Sequence, residues 1–205
     1  MQPRIKVIGV GGSGSNTVSR MAHLRGQEKI NISEVELLSA NTDAQALFFS
    51  KADKKILLGK EVTRGLGTGM DAELGRKSAE EARQEISAAL LGEPRLSGGK
   101  KADMVFVTCG LGGGTGSGAS PVIAEISRQL GILTIVVVTM PFSFEGEQRK
   151  KVAQNAFEKL KDKVDSLLVI SNDKLLKVID EKTTVSNAFL ICDDILREAV
   201  QGITD

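Results

Sequence analysis

Short apolar runs rich in Val and Ile alternate along the chain with longer stretches in which apolar residues recur at helical spacing. Strands buried in a parallel sheet show continuous apolar runs, because helices cover both of their faces; the two interleaved patterns therefore predict an α/β domain. Strands are expected at 4–10, 35–40, 54–58, 104–108, 134–139 and 167–170, and helices at 13–24, 71–90, 115–130, 145–164 and 186–201. That makes a mostly parallel sheet of about six strands. In 71–90 the apolar positions are separated by Glu, Lys and Arg, which places one face on the sheet and the charged face in water. Gly202 is positioned to cap the last helix. The one linker-like stretch, 92–101, holds Pro94, Gly98, Gly99 and paired lysines, and reads as a surface loop.

Composition narrows the picture. The 205 residues, 41% hydrophobic, suffice for one well-packed domain and not for two full-sized ones. Lys and Arg number 27 against 26 Asp and Glu, so charge gives no reason to expect nucleic acid or an anionic membrane as partner. No charged and apolar leader and no uninterrupted apolar span of about 20 residues occurs, so no direct membrane insertion is expected. Cys109 and Cys192 form no metal or redox motif and read as buried thiols in a reducing cytoplasm. His23, the single histidine, has no ligands at metal spacing and reads as a surface residue. Trp and Tyr are absent, which argues against base-stacking platforms.

The chemistry lies in the glycines. The first strand runs into Gly9-Val10-Gly11-Gly12-Ser13-Gly14-Ser15-Asn16 and then a helix. Glycines let phosphate oxygens approach the backbone N–H groups, and the helix dipole favours negative charge there. Gly9, Gly11 and Gly14 also satisfy the dinucleotide fingerprint, but that motif wants an acidic residue about 20 positions later, and Asp43 is later than that. Glycines serving only tight strand-to-helix packing are the bland alternative. A second loop, Gly110-Leu111-Gly112-Gly113-Gly114-Thr115-Gly116-Ser117-Gly118, follows the fourth strand and again opens a helix. Two such loops can grip one polyphosphate if strands one and four flank the point where strand order reverses, with Thr115 and Ser117 adding hydroxyls. A third element at 65–71, with Gly67, Thr68 and Gly69, either closes over a terminal phosphate or is a plain loop. No Walker-type lysine loop occurs.

Residues 112–118, Gly-Gly-Gly-Thr-Gly-Ser-Gly, resemble the signature loop of the tubulin and FtsZ family. IKVIGVGGSGSN, NTDAQAL, TRGLGTGMDAELG, MPFSFEGEQR, SNDKLL and AVQGI resemble bacterial FtsZ in order and spacing, over essentially the whole chain. Ser13, Ser15, Ser117 and Cys109 depart from the commoner residues but are small enough to leave the cradle intact. The resemblance implies a Rossmann-like three-layer sandwich with helices on both faces, binding GTP or GDP, with Mg²⁺ carried by the nucleotide. By position it implies that Gly12, Ser13, Gly14, Ser15 and Asn16 line the α- and β-phosphates and base edge, with Gly11 in the same loop. Gly114, Thr115 and Gly116 would hold phosphates, supported by Gly112, Gly113 and Ser117. Glu145 and Arg149 would hold the ribose, Asn172 and Asp193 would read the guanine edge, and Phe189 would pack on the ring. Asn41 and Asp43 would lie toward the metal and γ-phosphate.

The resemblance further implies head-to-tail protofilaments, a cytoplasmic ring at midcell and adaptor proteins gripping a C-terminal tail. Hydrolysis would require an acidic loop from the neighbouring subunit. That loop follows the helix ending in AVQGI, so 1–205 is expected to be the GTP-binding domain, ending in a core helix at about 186–202, without the catalytic loop or second domain. No catalytic residue is expected within it. Two other classes remain open at this stage: an NAD-dependent oxidoreductase domain using the first loop alone, and a non-catalytic nucleotide-regulated module. A fluorescent GTP analogue bound to the chain should be displaced by GTP and not by ATP or NADH; displacement by NADH alone would select the oxidoreductase.

Overall fold

The computed structural model describes residues 3–26, 35–92 and 101–176, together with residues 184, 187, 188, 190, 191, 194, 195, 198 and 202. Its strands are β1 (Ile5–Val10), β2 (Glu36–Asn41), β3 (Lys54–Leu57), β4 (Met104–Gly110), β5 (Leu133–Met140) and β6 (Ser166–Ser171). They form one six-stranded sheet in the order β3-β2-β1-β4-β5-β6, with every neighbouring pair parallel. The helices are α1 (Gly11–Gly26), α2 (Ala44–Phe49), α3 (Ala72–Glu81), α4 (Arg83–Leu91), α5 (Gly114–Gln129), α6 (Glu147–Lys161) and α7 (Asn172–Leu176).

Two apolar layers sandwich the sheet. Ile8, Val10, Val105, Val107, Val136 and Val138 point to one side, where residues of α3, α4, α5 and α6 meet them. Val7, Phe106, Ile135 and Val137 point to the other and pack with Val18 and Met21 of α1. The segregation follows from chain direction. From β1 the chain steps through α1 to β2, and from β4 it steps the opposite way through α5 to β5. Because parallel crossovers keep one hand, reversing the direction sends the helix to the opposite face. Lys6, with its side chain 5% exposed, spans the core to donate to the carbonyl of Ala89 in the last turn of α4 at 2.6 Å and to pair with Glu36. A buried cation is tolerated here because a helix C-terminus and a carboxylate both satisfy it.

The expected strands all form. Two helical expectations change, and two further helices were not expected. The helix expected over 71–90 is two helices meeting at Ala82, whose ψ of 9° leaves the helical range. Ala79, Ile86, Ala89 and Leu90 are buried on both sides of the break, so the apolar spacing passes through it without a Gly or Pro to mark it. The helix expected from 145 begins at Glu147, because Gly146 has φ +97° and Ser143–Glu145 form a separate 3₁₀ turn. Helices α2 and α7 were not legible, since six and five residues are too short to display a period. Of the final helix, Asn187, Ala188, Leu190, Ile191, Asp194, Ile195, Glu198 and Gly202 are described and helical. Arg20 of α1 donates to Asp194 at 2.6 Å.

Cys109 is fully buried on β4, and burial pushes its thiol up to about 12, so it stays un-ionised. Cys192 lies outside the described residues, and His23 is exposed. No helix among the described residues is long and apolar enough to cross a membrane.

The tightest helix contact places Gly118 of α5 against α3: a Cβ there would stand 1.9 Å from the Ala72 carbonyl oxygen and 2.6 Å from the Arg76 nitrogen. Gly118→Ala is therefore expected to lower stability by about 2 kcal/mol or more, although the same change at an open helical position is favourable by about 1 kcal/mol. Urea unfolding of the two chains checks it, and an unchanged midpoint would contradict the packing.

Candidate functional site

The C-terminal ends of β1 and β4 lie side by side, with Gly9 in register with Thr108. The helices leaving them depart to opposite faces, so a crevice opens between their starts, the position at which open α/β sheets take ligands. The two glycine loops touch there. A Cβ on Gly11 would lie 3.0 Å from the nitrogen of Gly116, and one on Gly110 would lie 3.0 Å from Cβ of Ser13. Between them is a cleft of about 240 Å³.

The glycines divide by what crowds them. At Gly9 an added Cβ would meet the Gly14 carbonyl oxygen at 2.1 Å, and at Gly14 it would meet the Thr108 carbonyl oxygen at 2.4 Å. These two serve close packing of α1 on β1 and β4, as the bland alternative requires. Gly114 and Gly116 are likewise closed in, by Thr68 and Asp71 and by the Gly110 carbonyl. Gly12 and Gly113 are different. Both line the cleft, neither has a positive φ, and a Cβ on either would meet no protein atom within 4 Å. Neither packing nor backbone conformation demands glycine at these two positions, and the bare backbone they leave in the cleft is open to a ligand lying against it.

Electrostatics select an anion. Helix α2 is capped by Asp43 and α3 by Asp71, and α3, α4, α6 and α7 carry Glu73, Glu85, Glu147 and Asp173 in their first turns. Helices α1 and α5 have no acidic residue there, and no side chain caps α5. The first N–H groups of a helix lack intrahelical partners, so two partial positive ends converge on one cleft. The second loop is held by its own members: Ser117 accepts from the Gly112 N–H at 2.8 Å, and the Leu111 N–H reaches the Thr139 carbonyl at 2.9 Å. The Ser117 hydroxyl is thus engaged inside the loop and does not line the cleft, where it had been expected to add a donor.

The remaining expected residues sort as follows. Gly11, Ser13, Gly114, Thr115 and Gly116 line the cleft, and so does Thr68 of the third loop. That loop is docked by Gly67, whose N–H reaches the Thr42 carbonyl at 3.1 Å, and this brings Thr68 Oγ1 to 3.4 Å from Thr115 Oγ1. Gly67, Gly69, Gly112, Gly14, Ser15 and Asn16 do not line it. Ser15 Oγ is buried without a partner. Glu145 and Arg149 do line it, joined to each other at 2.6 Å, with Glu145 also accepting from the Phe142 N–H at 2.8 Å. Asn172 is 4% exposed and faces the same cleft with its Oδ1 unpartnered. A helix-capping Asn would use that oxygen on a backbone N–H, which Asn172 does not do. Ser143 N–H and Oγ both donate to Asp173, at 2.8 and 2.5 Å, which ties the 3₁₀ turn bearing Glu145 to the helix bearing Asn172.

Asn41 and Asp43 sit at the end of β2, off the cleft. Asn41 Oδ1 accepts from the Asp43 N–H at 3.3 Å, and Asp43 caps α2 through the Ala46 N–H at 2.9 Å. Phe189 and Asp193 lie outside the described residues. Thr139 and Pro141 line the cleft from the end of β5 without having been singled out. They fall inside or beside MPFSFEGEQR, so the signal was present, but only the strand ladder brings β5 next to β4.

Two unopposed helix N-termini meeting at a strand-order reversal define a polyphosphate-binding α/β domain. The sequence model of the Tubulin/FtsZ family, GTPase domain, matches residues 4–180, and the chain belongs to that family. It is 44% identical to an FtsZ from M. jannaschii solved as an empty dimer, at a TM-score of 0.89 over 100% of this chain and 55% of that one. Haloferax volcanii CetZ2, solved as a GTPgS-bound protofilament, is 25% identical at a TM-score of 0.83, over 100% of this chain and 58% of that one. CetZ1 of the same organism, a GDP-bound monomer, is 29% identical at a TM-score of 0.79, over 98% and 58%. The chain thus spans a little over half the length of these proteins. Membership implies a guanine nucleotide as the ligand of the fold.

The division of the glycines is testable. Gly12→Ala should leave the stability of the free chain unchanged or raise it by up to about 1 kcal/mol, and should weaken nucleotide binding. Gly14→Ala should instead lower stability by about 2 kcal/mol or more. Urea unfolding paired with nucleotide titration measures both, and equal destabilisation by the two changes would overturn the assignment.

Proposed function

We propose that this chain is the GTP-binding domain, 1–205 ending in a core helix at about 186–202, of an FtsZ-type cytoskeletal GTPase that assembles head to tail. The observation that carries this reading is the convergence of the α1 and α5 N-termini, both free of acidic residues, on one cleft bordered by open positions at Gly12 and Gly113. The amides of those first turns bind and orient the phosphates, with the Thr115 hydroxyl among them. Arg149 and Glu145 hold the ribose as a preformed pair, and the unpartnered Oδ1 of Asn172 accepts from the base. Asp193 supplies the carboxylate that accepts from guanine N1 and its exocyclic amine, groups adenine does not offer, and Phe189 packs on the ring. Mg²⁺ would come with the nucleotide, held mostly by phosphate and water toward the side of Asn41 and Asp43, and would neutralise phosphate charge.

Hydrolysis in this reading needs an acidic loop from an adjacent complete subunit to position the attacking water, so the residues here bind and orient and do not complete the reaction. Self-association is supported by relatives solved as a dimer and as a protofilament. A contact that repeats head to tail does not close and grows into a filament. The assembled protein would act as a bacterial division ring at midcell in the cytoplasm, attached through adaptor proteins.

The chain alone is expected to bind GTP and GDP stoichiometrically, with ATP and NADH failing to compete, and to release little phosphate. Adding a complete FtsZ subunit that presents its acidic loop should raise turnover. Turnover by the isolated chain equal to that of an intact FtsZ would sink the shared-site reading, and failure to bind GTP would sink the nucleotide reading itself.

A further inference from the structure

Thr42 lies between Asn41 and Asp43 at the end of β2, is 0% exposed and does not line the cleft. Its hydroxyl oxygen is 2.7 Å from that of Thr115, which does line it. Its backbone is fixed from the other side: the Thr42 carbonyl accepts the Gly67 N–H at 3.1 Å.

We propose that Thr42 is a positioning residue that holds the Thr115 hydroxyl hydrogen toward a bound phosphate. The inference rests on the reading of the cleft as a nucleotide site and adds a group that never touches the ligand. A hydroxyl has one hydrogen to donate and two lone pairs to accept with. In the free chain either threonine can be the donor of the 2.7 Å bond. A phosphate oxygen is an acceptor, so a phosphate at Thr115 takes the Thr115 hydrogen, and Thr42 must then be the donor to Thr115. The Thr42 hydrogen thereby polarises the hydroxyl that meets the ligand, and hydrogen bonds in such a chain strengthen one another. Thr68 does not substitute for it. Its oxygen stands at 3.4 Å, long for a bond between hydroxyls, and Thr68 lines the cleft and is itself free to face the ligand. Without the Thr42 hydroxyl, Thr115 loses the donor that fixes the direction of its own hydrogen.

The test compares Thr42→Val, which keeps the shape and loses the hydroxyl, with Thr42→Ser, which keeps the hydroxyl and loses a methyl. Affinities for GTP and for guanosine, which has no phosphate, are measured by displacement of a fluorescent GTP analogue. Thr42→Val should weaken GTP binding by about fivefold to tenfold, the scale of one net hydrogen bond, and leave guanosine binding unchanged. Thr42→Ser should stay within about twofold of the unaltered chain for both. If Thr42→Val does not fold, Thr42→Ala against Thr42→Ser repeats the comparison with one hydroxyl as the difference. Unchanged GTP affinity in Thr42→Val, an equal loss for GTP and guanosine, or a loss in Thr42→Ser as large as in Thr42→Val would each overturn the proposal. An unaltered chain that binds guanosine analogues or GTP not at all would overturn the nucleotide reading and this inference together.

Discussion

The site depends on one topological constraint: a parallel sheet whose strand order reverses between β1 and β4. With crossovers of a single hand, the reversal drives α1 to one face and α5 to the other, and no helix can cover the gap between their starts. The first residues of both helices border the same small volume. Elsewhere the described helices answer this unsatisfied end with Asp or Glu, and here they do not. An anionic ligand is the remaining way to satisfy it.

The glycines of the two loops do separate tasks that the sequence pattern merges. Gly9 and Gly14 let the helix lie against the strands, and Gly114 and Gly116 let the second and third loops close on each other. These positions build the cradle. Gly12 and Gly113 leave it empty of side chains. A similar division runs through the hydroxyls. Ser117 holds the loop together, Thr115 faces the cleft, and Thr42, buried a step behind, is reached only through Thr115.

Much of this was legible beforehand, for identifiable reasons. The six strands could be read because fully buried parallel strands are apolar at every position, a signal that survives without context. The loops were legible because adjacent glycines after a strand have few other uses. The short helices α2 and α7 were not, and neither was the break at Ala82, because capping by Asp43 and a change of direction within a continuous apolar stripe leave the period untouched. Glu145 and Arg149 were placed by resemblance alone; they pair at i,i+4 spacing, whereas the tie from Ser143 to Asp173 joins segments far apart in sequence.

By itself, the sequence determined the α/β class, the two anion-binding loops and the family, because each rests on residues close together along the chain. Only the tertiary structure decided which glycines pack and which face the open cleft, that Ser117 turns inward, that Asn172 presents an unpartnered oxygen, and that Thr42 stands behind Thr115. Apart from the Ser117 bond to Gly112 and the contact of Gly9 with Gly14, each five positions apart, these are distances between residues tens of positions apart, and they come into being only when the sheet brings the ends of β1, β2, β4 and β5 together.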